Sequence, residues 1–255
     1  MTRPLFPALA LSAGLAAGLT ALPAQAFDLE NMSEAEREAF RGEIRSYLLD
    51  NPEVIMEAVE VLEERQADQQ AQADEALVAA NEDAIFDDGH SWVGGNPEGD
   101  ITLVEFMDYR CGYCRRAAPQ VADLLDFDGN IRLIVKEFPI LGEQSVMASR
   151  FAVAVLQKAG DDAYKAAHDT LMAFSGDITE PALRRIAGDL GLPADEIVTH
   201  MESDEVAQVI DANHALGRKL GISGTPSFVM EDQMLRGYLP LDEMQRVAAE
   251  LREEG

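Results

Sequence analysis

The apolar positions of this chain change period near residue 90, and that change divides it. Before it they fall at helical spacing. Ser33-Glu34-Ala35-Glu36 sets a hydroxyl three residues ahead of a carboxylate, the form of a helix-start capping box, and predicts a helix to about Asp50. Asn51-Pro52 breaks the run and restarts it, because asparagine caps well and proline is tolerated in a first helical turn. Ile55, Val59 and Leu62 carry the next apolar stripe. Glu63 to Glu75 is polar, and Leu77, Val78, Ile85 and Phe86 then resume an apolar face. No aromatic residue lies between Tyr47 and Phe86, so this arm, residues 27–86, cannot build a core of its own. Two readings stay open. Its stripe pairs with copies of itself, or it is a solvated helix that folds back on the rest of the chain.

After the turn-rich segments Asp87 to His90 and Gly94 to Asp100, strands and helices alternate. A short strand is predicted around Ser91-Trp92-Val93 and a stronger one over Ile101 to Met107. A helix follows over Arg115 to Leu125, with Pro119 inside it predicting a kink near its first turns. Ile131 to Phe138 reads as a strand. Between residues 143 and 221 the period is helical throughout, with breaks at Gly160, Ser175-Gly176-Asp177, Gly191-Leu192-Pro193 and Ser203. Ser227 to Met230 and Met234 to Gly237 predict a hairpin, and Leu241 to Arg252 a closing helix. The class is therefore α/β, a βαβ unit and a later hairpin separated by a long helical stretch.

The first 26 residues change the picture of where the chain works. Met1-Thr2-Arg3 is a short positive start, Leu5 to Leu22 is apolar, and Ala24-Gln25-Ala26 is a small-x-small cleavage site. This pattern predicts an export leader cut before Phe27, with delivery across the inner membrane to the periplasm, an oxidising compartment. The formal charge of the chain is −27, from 20 basic and 47 acidic residues. Such a balance argues against nucleic-acid binding and against docking on anionic lipid.

Candidate chemistry centres on the only two cysteines, Cys111-Gly112-Tyr113-Cys114, between the stronger strand and the helix after it. A structural disulfide across two residues closes almost no loop and adds little stability. His90, His168, His200 and His214 show no ligand spacing with the cysteines, so no metal site is predicted, although two thiolates alone suffice for copper(I). The remaining reading is a redox-active dithiol that needs no other cofactor. Cys111 is expected at the helix start, where free amides and the macrodipole favour an anion, and so to be the nucleophile. Cys114, one turn in, is expected to resolve the mixed disulfide. Arg110, Arg115 and Arg116 add positive charge beside the pair.

Three separated motifs carry a resemblance. Val104-Glu105-Phe106-Met107-Asp108-Tyr109-Arg110-Cys111-Gly112-Tyr113-Cys114, then Val135-Lys136-Glu137-Phe138-Pro139-Ile140-Leu141-Gly142, then Gly224-Thr225-Pro226-Ser227-Phe228, stand in the order found in DsbA-like thiol–disulfide oxidoreductases. The resemblance covers about residues 90–253. It implies a thioredoxin fold with an inserted α-helical domain at about 143–221, within a catalytic region 87–255 that the helical arm precedes. It also implies that Pro226 is a cis-proline facing the dithiol, and that Thr225 offers its backbone to a substrate strand. Glu105 matches the family's buried acidic residue and Lys136 the lysine that pairs with it, a proton relay for Cys114. Substrates would be secreted or periplasmic proteins with cysteines, with a membrane partner that reduces or reoxidises the dithiol. Tyr47-Leu48-Leu49-Asp50-Asn51-Pro52-Glu53-Val54-Ile55 resembles the N-terminal segment of suppressor-of-copper-sensitivity C proteins, a branch associated with trimers and disulfide isomerase activity. That implies a homotrimer through the arm. Gly112-Tyr113 departs from the Pro-His of DsbA itself, which implies a less oxidising dithiol and favours isomerase or reductase over oxidase. A copper(I)-binding tolerance protein using the same dithiol is the alternative.

Overall fold

A computed structural model describes residues 31–254, so the expected leader lies outside the described residues. Helix α1 (Glu34–Asp50) starts on the expected capping box. Ser33 Oγ accepts from the Glu36 amide at 3.3 Å, and Glu36 Oε2 accepts from the Ser33 amide at 2.8 Å. Asn51 closes this helix, its Nδ2 donating to the Tyr47 carbonyl at 2.9 Å, and its own carbonyl accepts the Val54 amide at 3.2 Å at the entry to the next. Helix α2 (Glu53–Ala79) follows at once, and α3 (Glu82–Phe86) is a single short turn. None of the residues of α1 is buried.

The chain divides into two compact units, one ending at Val61 and the other starting at Leu62. The second holds a five-stranded sheet in the order β1-β3-β2-β4-β5, formed by β1 (Trp92–Gly95), β2 (Ile101–Met107), β3 (Ile131–Glu137), β4 (Ser227–Met230) and β5 (Gln233–Arg236). Strands β2 and β3 are parallel and joined through α4 (Gly112–Asp128), while β1, β4 and β5 pair antiparallel. Helices α5 (Glu143–Ala159), α6 (Asp161–Ala173), α7 (Glu180–Asp189), α8 (Ala194–His200) and α9 (Asp204–Lys219) form the insertion, and α10 (Leu241–Glu254) closes the fold. Helix α4 runs through Pro119 without interruption.

The alternation of β2 and β3 sends side chains into two cores, one on each face. Leu103, Met107, Leu133, Val135, Phe228 and Met230 join α4, α10 and the insertion. Val104, Phe106, Ile134 and Val229 pack on the other face with Val78 of α2, Ile85 of α3 and Leu216 and Leu220 at the end of α9. The last part of the expected arm therefore belongs to the globular body. The sheet's second face needs an apolar cover, and residues 77–86 supply it. There Gly217 lets Phe138 approach closely, because a Cβ at that position would meet the Phe138 ring at 2.5 Å. Two basic side chains of β3 tie the segment down. Arg132 donates to the Phe86 carbonyl at 3.1 Å and Lys136 to the Ala84 carbonyl at 2.9 Å.

Candidate active site

Central strand β2 ends at Met107, and the chain turns through Asp108, Tyr109 and Arg110 into α4. Asp108 holds that turn. Its Oδ1 accepts from the Arg110 amide at 2.7 Å, and its Oδ2 accepts from the Ile140 and Leu141 amides at 2.8 and 3.0 Å. One buried carboxylate thus joins the loop before Cys111 to the loop after β3. The Asp108 carbonyl takes the Cys111 amide at 3.0 Å, which sets Cys111 as the N-cap residue of α4.

Both cysteines are free thiols. Cys111 is 7 % exposed and Cys114 fully buried. The Thr225–Pro226 bond is cis, and the Cys111 thiol donates to the Thr225 carbonyl at 3.1 Å. Burial pushes the Cys114 thiol well above its usual range, and the Glu105 carboxylate pushes it in the same direction. Gly112 and Tyr113 are exposed at the surface. The Tyr113 ring lies 6.2 Å from that of Tyr238, and the Arg116 guanidinium sits 4.6 Å over the Tyr238 ring. Arg115 Nε donates to the Tyr109 carbonyl at 2.8 Å, and Arg110 donates to the Gly176 carbonyl at 3.1 Å. These cations brace the loop and its neighbours.

The expected pairing of Glu105 with Lys136 is corrected by the structure. In the β2–β3 register Glu105 stands opposite Val135, and Lys136 opposite Phe106. Side chains alternate along a strand, so Glu105 and Lys136 lie on opposite faces. Lys136 pairs instead with Asp88, its Nζ 2.5 Å from Oδ2. Burial alone would raise the Asp88 carboxyl, but the Lys136 charge and hydrogen bond hold it down at about 2. Glu105 is buried in the centre of the sheet, and its Oε1 has no hydrogen-bond partner among the described residues. Burial, with the neighbouring Glu137 charge, pushes it up to about 8.

Glu137 is the acid that sequence reasoning missed. It is buried on the Glu105 face, and both Tyr109 and Tyr164 donate their hydroxyls to its Oε1 at 2.7 Å. Burial raises it to about 7 against those hydrogen bonds. Counting by twos from apolar Val135 could have flagged it, whereas nothing in the sequence announces Tyr164 of the insertion. Among the described residues no group of three or more His, Cys, Asp or Glu side chains could hold a metal ion.

Such a free thiol at a helix start, a buried second thiol and a cis-proline across from them fit a dithiol exchange site. The family model for the DSBA-like thioredoxin domain matches residues 102–249. This chain belongs to that family. A second family model, for the N-terminal domain of the copper resistance protein ScsC, matches residues 36–69. Among solved structures, a thioredoxin-like oxidoreductase from Silicibacter pomeroyi is 44% identical with a TM-score of 0.63, covering 67% of this chain and 97% of its own. Proteus mirabilis ScsC in a transitional conformation is 27% identical with a TM-score of 0.64, covering 88% of this chain and all of its own. A curated relative, Na(+)/H(+) antiporter NhaA 1 of Salinispora arenicola, is 30% identical over 169 residues, 64% of this chain. The chain spans about a quarter, 26%, of that relative's length. The DsbA-like assignment fits the described architecture, a thioredoxin-type sheet with helices α5 to α9 inserted between β3 and β4.

Proposed function

We propose that this protein is a thiol–disulfide oxidoreductase of exported proteins, with Cys111 as nucleophile and Cys114 as resolving thiol. The observation that carries this reading is Cys111 at the start of α4, its sulfur 3.1 Å from the carbonyl of Thr225 beside cis-Pro226. A substrate disulfide is attacked by the Cys111 thiolate, which forms a mixed disulfide and releases one substrate thiolate. Cys114 then gives up its proton and attacks the Cys111 sulfur. The bond to the substrate breaks and its second thiolate leaves. Two electrons pass from the enzyme's dithiol to the substrate, and the reverse sequence oxidises a substrate dithiol. Thr225 would pair its backbone with the substrate strand, and the exposed Tyr113 beside Cys111 would meet it. Glu105 would receive the Cys114 proton, while Lys136 serves the structure through Asp88.

Isomerisation or reduction is the favoured direction, since Gly112-Tyr113 brings no imidazole to stabilise the Cys111 thiolate. The arm supports self-association, most simply as a trimer. Ile44, Tyr47, Leu49, Ile55, Met56 and Val59 are large, apolar and exposed. The leader pattern supports a periplasmic location, with a membrane partner renewing the dithiol. Among the described residues no helix is long and apolar enough to cross a membrane. Copper(I) sequestration is the second reading, favoured by the match to the ScsC N-terminal domain.

Insulin reduction and scrambled-ribonuclease refolding, measured on wild type and Cys111→Ser, test the reading. Turnover in wild type and none in the variant is expected. No turnover in either assay, with tight copper(I) binding by the reduced protein, would replace it with sequestration. Light scattering of the leaderless chain and of a form starting at Leu62 tests the arm. Residues 77–86 must stay, because Val78 and Ile85 are in the core.

A further inference from the structure

Glu137 is a buried titratable group that the exchange steps leave without a task. It shares a sheet face with Glu105. The register sets Glu105 opposite Val135, and Glu137 comes two residues later on the same strand. Residues two apart along a strand share its face, so the two carboxyls are neighbours there. Glu137 collects donors from three directions. Tyr109, two residues before Cys111, and Tyr164 of α6 both bond its Oε1 at 2.7 Å. Asn213 of α9 donates to its backbone carbonyl at 3.1 Å. Tyr109 also lies 3.1 Å from His168 Nδ1, and Tyr164 stacks between His168 and Trp92, with centroid distances of 5.9 and 5.4 Å.

The surroundings decide what this cluster can do. From the turn after β2 comes Asp108, whose carboxylate is engaged by three backbone amides. From the chain before β1, His90 lines the small cavity that Glu137 and Tyr164 share. Ser149 of α5 is buried nearby, and burial pushes His168 of α6 down to about 4, so it is neutral at pH 7. Lys136, the adjacent residue, faces the other side with Asp88. Two hydroxyl donors on one carboxylate oxygen favour its charged form. The tyrosine hydroxyls therefore oppose the burial that raises Glu137 to about 7, and the Glu105 carboxyl beside it ionises only above that.

Resting on the dithiol-exchange reading, we infer that Glu137 is a positioning residue for that reaction. Its carboxylate, fixed by Tyr109 and Tyr164, sets how readily Glu105 takes the proton of Cys114 as the Cys111–Cys114 disulfide closes. While Glu137 is ionised, Glu105 ionises only at higher pH. In the closing step the Cys114 proton passes to Glu105 and the Cys114 thiolate attacks the Cys111 sulfur. The substrate thiolate leaves with the electron pair of the broken bond and is protonated by water. No outside oxidant enters, since the substrate disulfide is reduced as the dithiol is oxidised. The network also joins the insertion to the loop that carries Cys111.

The test uses the reduced full chain and dithiobis(nitrobenzoate). Attack by Cys111 releases one coloured thiolate, and closure by Cys114 releases a second. Both phases are followed across about pH 5 to 9, the range in which the two acids titrate. Glu137→Gln keeps an oxygen for the tyrosine hydroxyls and removes the charge. The first phase is expected to stay unchanged while the pH midpoint of the second moves down by about one unit, the coupling at which two sites titrate as a pair. An unmoved midpoint overturns the inference, even if the variant is less stable. Tyr164→Phe keeps the ring and removes one donor. A smaller shift in the same direction is expected, and no shift or an opposite one overturns the inference independently. A wild type that releases the first thiolate and never the second would sink the exchange reading and this one with it.

Discussion

The two faces of the central sheet bury charge in opposite ways. On one, Lys136 meets Asp88 and the Ala84 carbonyl, and the ion pair is complete. On the other, Glu105 has a bare oxygen and a second carboxylate as its neighbour. The first arrangement is fixed in its charge state and ties α3 and the chain after it to β3. The second can change charge near neutral pH, and it lies on the side of the cysteines. A buried charge with its partner makes structure, and one without a partner is available for chemistry.

Swapping a charge for an apolar side chain of similar size on each face would sharpen or break this contrast. Lys136→Met leaves the half-buried Asp88 without its lysine. It is expected to cost about 3 kcal/mol in denaturant unfolding, with both phases of thiol release unchanged wherever the protein is folded. Unaltered stability would remove the structural role of that face.

The pH dependence of stability should also divide by face. Glu105 and Glu137 bind protons more tightly folded than unfolded, because burial raises them from 4.5 to about 8 and about 7. Between 4.5 and those values the folded state holds more protons, so stability falls as pH rises. The slope is at most about 1.4 kcal/mol per pH unit for each carboxylate. Asp88 has the opposite sign, being lowered from 3.8 to about 2. Its contribution is present above 3.8 and is lost as pH falls through 2. Thermal unfolding across this range measures both limbs, and a flat profile from mildly acidic to mildly basic pH would contradict the unpaired carboxylates.

Glu105→Leu gives the smallest expected change in stability and the opposite sign from Lys136→Met. Removing an unpaired buried carboxylate should stabilise the fold by about 1 kcal/mol at neutral pH. The release of the second coloured thiolate should slow by about a hundredfold, the lower end of what a positioned base supplies. A destabilised variant with unchanged closure would show that Glu105 is part of the packing alone.

Much of the fold was legible along the chain. Strand β2, helix α5 and strand β4 fall at the residues that the apolar period and the Gly and Pro breaks predict, because local alternation and chain punctuation are local properties. The Cys111-Gly112-Tyr113-Cys114 spacing and its place between strand and helix were equally plain. The Glu105–Lys136 pairing failed for a specific reason. Which face each residue takes depends on the β2–β3 register, and a slip of one residue reverses every side chain. The boundary of the arm was hidden too. Leu77 to Phe86 looks like the end of a helical stripe until the sheet's second face demands a cover.

The sequence by itself determined the βαβ order, the dithiol at a helix start, the helical insertion and an arm too poor in bulk to form a core. Those follow from period, breaks and residue type, which act over a few positions. Only the tertiary structure decided which charges meet. It sent Lys136 to Asp88, left the Glu105 Oε1 without a hydrogen-bond partner among the described residues, and brought Tyr164 of the insertion to Glu137 beside it. Register and the docking of helices separated by tens of residues made those choices, and neither is written in local spacing.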